Sequence, residues 1–119
     1  MDKKNFLIQN GIDVDKALEY MGDFETFNEI LLDFYNGIDE QLKELENFKD
    51  MKDLSNYAIA VHALKSNYRS LGASGFAEVA YQHEMESKSS NLDYIVAHFT
   101  DLIVSKDSFK KIISEYLNL

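Results

Sequence analysis

Proline and cysteine are both absent from this 119-residue chain, and glycine occurs only five times. Without proline, nothing locks φ or removes a backbone donor inside a helix, and so few glycines leave few turns that rely on positive φ. An all-helical fold is the expectation. Without cysteine there is no disulfide framework and no thiolate metal site. No apolar run approaches the roughly 20 residues needed to span a bilayer, and Met1-Asp-Lys-Lys is not followed by a signal-peptide core. The cytoplasm is the expected location. A Gly-rich nucleotide loop is missing as well, so neither an ATP site nor autonomous kinase activity is expected.

What is present is apolar and acidic. Hydrophobic residues make up 45% of the chain, with seven Tyr and eight Phe, enough to pack an interior. A length of 119 residues suits a single domain over 1–119, because a second independent core would be hard to stabilise at that size. The net charge is −9, from 21 acidic against 12 basic residues. Such a surface repels phosphate backbones and anionic headgroups, which argues against nucleic-acid and membrane partners.

Helical patterns alternate with short polar breaks. Residues 3–9 read as a first short turn or helix stopped at Asn10-Gly11, and a second short helix runs from about Val14 to Met21 between the N-cap Asp13 and Gly22. Residues 24–48 space Phe27, Ile30, Leu31, Phe34, Ile38, Leu42 and Leu45 by three or four, an apolar stripe on a long helix. Residues 53–71 place Leu54, Tyr57, Ala58, Val61, Leu64, Tyr68 and Leu71 on one face, closed by Gly72. Residues 74–88 turn Phe76, Val79, Ala80 and His83 inward, and after Ser89-Ser90-Asn91 the last helix spans 92–117. This pattern predicts an all-α, up-down antiparallel four-helix bundle with one or two short N-terminal capping helices. One stripe per helix suffices for one core, so a monomer is expected.

One stretch carries possible chemistry: His62-Ala-Leu-Lys-Ser-Asn-Tyr-Arg-Ser-Leu-Gly-Ala73. At about 100° per residue, His62 sits roughly 110° from the centre of its helix's apolar stripe, at the rim of the buried face or in water. Ser55, Ile59, Ser66 and Arg69 follow the same side, and Lys65 lies between that side and the core. An exposed imidazole is nucleophilic near neutral pH and could accept a phosphoryl group. Lys65 would place an ammonium near the developing charge, Ser66 would keep the surface low, and Ile59 would offer an apolar contact for a partner. A lone histidine at a helix edge is, however, more often a plain surface residue, and Lys65 and Arg69 alone read as ordinary solvated charges.

The segment resembles the histidine-containing phosphotransfer (HPt) motif His-x-Leu-Lys-Gly-x-x-x-x-Leu/Ile-Gly-Ala, matched at His62, Leu64, Lys65, Leu71, Gly72 and Ala73. Ser66 stands where glycine is commonest. Downstream, Phe76, Val79, Ala80 and Glu84 fit the family's next helix, from which His83 departs by replacing an aliphatic. Upstream, Gly11-Ile-Asp-Val-Asp-Lys-Ala-Leu and Phe24-Glu-Thr-Phe-Asn-Glu-Ile-Leu also look similar, so the resemblance covers about residues 10–117.

The resemblance implies a two-component phosphorelay protein. His62 would carry the phosphoryl group between receiver-domain aspartates, assisted by Lys65. Glu84 would hydrogen-bond the imidazole Nδ1–H, unless it is simply a solvated acid. Ser66 would leave clearance, and Ile59 and Arg69 would belong to the receiver-docking surface. The implied partners are response-regulator receiver domains and a hybrid histidine kinase. No cofactor is expected on this chain, since the receiver would supply Mg²⁺.

Two other readings stand beside it. A di-iron bundle needs Glu-x-x-His, but the residues three before His62, His83 and His98 are Ile59, Ala80 and Ile95. The run His83-Glu-Met-Glu-Ser87 lacks the second histidine of the zinc motif, so no metal is expected. A helical adapter that docks receivers or other signalling domains without phosphoryl transfer is the alternative.

Overall fold

A computed structural model of the chain describes residues 3–118. The expected domain over 1–119 also takes in Met1, Asp2 and Leu119, which lie outside the described residues. Six helices follow one another: α1 (Lys3–Gln9), α2 (Val14–Met21), α3 (Phe24–Asp50), α4 (Leu54–Ser70), α5 (Ser74–Lys88) and α6 (Leu92–Leu117). Among the described residues there is no strand.

Local side chains and turns set these boundaries. Asp13, Asp23, Asp53 and Asn91 each accept the backbone N–H three residues on, at 3.1, 2.8, 3.1 and 3.2 Å, satisfying orphan donors of α2, α3, α4 and α6. Four helices end in the same double hydrogen-bonded turn around a residue with positive φ: Gly11, Lys52, Gly72 and Ser90. At the end of α4, Ala73 N–H donates to Tyr68 C=O and Gly72 N–H to Arg69 C=O.

Gly72 has a further reason to lack a side chain. Its carbonyl accepts the Asp13 N–H at 2.8 Å, pulling the α1–α2 connection onto the α4–α5 turn. A Cβ there would lie 2.2 Å from Asp13 O, closer than any side chain tolerates. The Gly72-Ala73 pair, with Ala73 fully buried, is therefore a packing joint.

One buried apolar cluster draws on all six helices. Helix α4 packs against α3 and α5, α6 against α3 and α5, while α2 lies on α3 and α1 on α6. Tyr68 sits at the centre of an aromatic group, its ring 5.2 Å from Phe34, 5.2 Å from Phe109 and 5.7 Å from Phe76. The inward stripes match the helical periodicity with one departure. Ile30 is exposed, because the buried line on α3 runs through Phe27, Leu31, Phe34, Ile38, Leu42 and Leu45 and leaves Ile30 beside it. Among the described residues no helix is long and apolar enough to cross a membrane.

Candidate functional site

Helix α4 turns Tyr57, Ala58, Val61, Leu64, Lys65 and Tyr68 into the interior. His62 falls off that face, and 57% of its side chain is open to solvent. Ile59, one turn earlier, is 70% exposed, whereas Ser66, one turn later, is half-buried. These residues share one side of α4, as their spacing predicts.

The neighbouring helix supplies what holds the ring. Glu84 of α5 is only 2% exposed, yet it faces three donors. Its Oε2 lies 2.8 Å from His62 Nδ1 and 2.9 Å from Lys88 Nζ, and its Oε1 takes Lys65 Nζ at 2.5 Å. Burial pushes the carboxyl pKa up, but hydrogen bonds from Lys65, Lys88 and His62 outweigh it and hold the value at about 2. Glu84 is thus an anion at neutral pH. An ionised carboxylate only accepts, so the His62 nitrogen facing it carries the proton. In a neutral ring the lone pair then belongs to Nε2, which takes no hydrogen bond among the described residues. The carboxylate has selected both the tautomer and the orientation of an exposed imidazole.

Lys65 differs from the solvated cation that its sequence neighbours suggest. It is 7% exposed, its ammonium tied to Glu84 and lying 5.4 Å over the Tyr81 ring. A buried carboxylate needs a close counter-charge, and Lys65 reaches inward to provide it. The solvated-acid reading of Glu84 fails for the same reason. Arg69 is exposed but stands apart from His62, its guanidinium 5.7 Å over Tyr81 and its side chain beside Lys16, Tyr20 and Glu78.

Around the imidazole is a shallow depression of about 310 Å³ lined by Ala58, Ile59, His62, Glu84 and Lys88. Lys88 is the member that motif reading overlooks. Its only sequence signal is the Glu84–Lys88 i,i+4 spacing, common on any helix surface. His83, the residue before Glu84 on α5, points the other way and is buried between Tyr57 and α6. The structure therefore brings His62, Lys65, Glu84 and Ile59 together, adds Lys88, and leaves Arg69 two turns along.

No family model, no curated protein and no solved structure matches this chain.

Proposed function

We propose that this chain is a phosphohistidine carrier of the HPt type, passing a phosphoryl group between receiver-domain aspartates through Nε2 of His62. The observation that carries this reading is the Glu84 hydrogen bond to Nδ1, which leaves the other nitrogen of a solvent-exposed ring free to attack. In the proposed reaction the Nε2 lone pair attacks the phosphorus of a receiver aspartyl phosphate. The P–O bond to the acyl oxygen breaks, and the carboxylate leaves with that electron pair. The Nδ1 proton stays where it is, and Glu84 balances the imidazolium charge that develops. Transfer to a second receiver is the reverse step.

The contacts among α3, α4, α5 and α6 suit an up-down antiparallel four-helix bundle over 1–119, with α1 and α2 as its cap. Ile59, His62 and Ser66 would meet the receiver, with Arg69 at the rim. Mg²⁺ would come with the receiver, and a hybrid histidine kinase would supply the phosphoryl group. A monomeric cytoplasmic protein completes the proposal, and its acidic surface disfavours nucleic-acid and membrane partners.

Incubation with a phosphorylated receiver domain and Mg²⁺ tests the proposal. Wild type is expected to gain acid-labile, alkali-stable phosphate, and His62→Gln to gain none while still binding the receiver. Equal phosphate uptake by both proteins would overturn the assignment. Receiver binding without uptake by wild type would leave the adapter reading in its place.

A further inference from the structure

Resting on the phosphocarrier reading, the geometry points to Lys88 as the cation that contacts the transferred phosphoryl group, with Lys65 acting behind it as a positioning residue through Glu84. The two lysines divide along the two oxygens of one carboxylate. Lys65 lies on Oε1, buried and covered by Tyr81, so its charge is committed to Glu84. Lys88 lies on Oε2, the oxygen that also holds His62 Nδ1, and 60% of its side chain is exposed. Sharing that oxygen keeps the Lys88 ammonium and the imidazole within two hydrogen-bond lengths of each other. Both groups line the same depression.

Charge balance points the same way. Glu84⁻, Lys65⁺ and Lys88⁺ together carry one net positive charge beside the imidazole. A phosphoryl group on Nε2 adds two negative charges and makes the ring an imidazolium. The four side chains then sum to zero, whereas without Lys88 they would carry a net negative charge. An ammonium has three N–H donors, and Lys88 spends one on Glu84, so two remain for phosphoryl oxygens. A flexible lysine on the surface can turn to them without breaking the Glu84–His62 hydrogen bond that orients the ring.

Phosphoramidate tests this without a receiver. Attack by His62 Nε2 on its phosphorus breaks the P–N bond and releases ammonia, so docking contributes nothing to the rate. Wild type, Lys88→Gln, Lys88→Arg and the surface control Lys43→Gln would be followed by ³¹P NMR, with His62→Gln as blank. Lys88→Gln is expected to slow uptake roughly tenfold and to raise the second ionisation of the bound phosphoryl group by about half a pH unit, the effect of removing one nearby charge in a hydrated site. Lys88→Arg should restore most of both, and Lys43→Gln should resemble wild type. Uptake on His62 with Lys88→Gln matching wild type in rate and titration would overturn the Lys88 role alone. No uptake by wild type from either phosphoramidate or a phosphorylated receiver would instead overturn the carrier reading beneath it.

Discussion

The hydroxyl of Tyr57 donates to Nδ1 of His83 across 2.9 Å, joining α4 to α5 on the side away from His62. The direction follows from the other ring nitrogen. Nε2 faces the carbonyl of His98 at 3.1 Å, and a carbonyl only accepts, so Nε2 holds the proton and Nδ1 must accept. His83 is 1% exposed, and burial drives its pKa down to about 4, against a partly opposing hydrogen bond to His98. In an unfolded chain it would titrate near its ordinary value of 6.5.

Acid should therefore weaken the protein in a defined window. As pH falls below 6.5 the unfolded chain takes up a proton that the folded protein refuses until about pH 4. Stability is fully present above 6.5, declines between these values by on the order of 3 kcal/mol, and then levels off in this contribution. Urea unfolding at pH 7, 5.5 and 4.5 measures it. A flat profile in wild type would show that His83 titrates normally.

Glu84 and Lys65 behave as one buried pair. Glu84→Gln keeps an acceptor for His62 but strands the Lys65 ammonium, and the expected loss is about 3–5 kcal/mol. Adding Lys65→Met removes the stranded charge, and most of that stability should return. Double-mutant cycles in denaturant check this, and additive losses would mean that the two groups do not share a buried contact. A solvated Lys65 would make Lys65→Ala nearly silent in stability; its burial reverses that expectation.

Gly72→Ala should cost at least about 2 kcal/mol, from a left-handed φ plus collision of the new Cβ with Asp13 O. Residual folded protein should keep the His62–Glu84 contact, because the joint lies beyond the far end of α4. A thermal melt equal to wild type would mean that the α1–α2 connection does not rest on Gly72.

Lys52 holds φ +59 at the end of α3, a conformation that glycine adopts without a Cβ penalty. Lys52→Gly should raise stability by about 0.5–1 kcal/mol, the left-handed penalty less the added chain entropy. A drop in melting temperature would show that the lysine stem packs there to advantage.

Much of this architecture is local and hence legible in one dimension. Asn10-Gly11, Asp13, Gly22, Gly72 and Ser89-Ser90-Asn91 act on hydrogen bonds within a few residues, which is why the helix limits could be read directly. Spacing by three and four likewise identified the inward faces and showed that His62 lies off the stripe of α4. Ile30 marks the resolution of that method, since a residue at the edge of a stripe faces in or out according to the neighbouring helix.

The chemistry of the site came from another level. Whether Glu84 is a solvated acid or a buried anion, and whether Lys65 points to water or inward, depends on the axial register of α4 against α5. Residues 62, 65 and 84 are brought to one point by that register, and no spacing within either helix encodes it. Lys88 and the Tyr57–His83 bond appear for the same reason. Local sequence settled where helices begin, end and turn apolar, because those forces act over one helical turn. Packing between helices settled which charges meet, because desolvation and ion pairing depend on what the neighbouring helix places opposite.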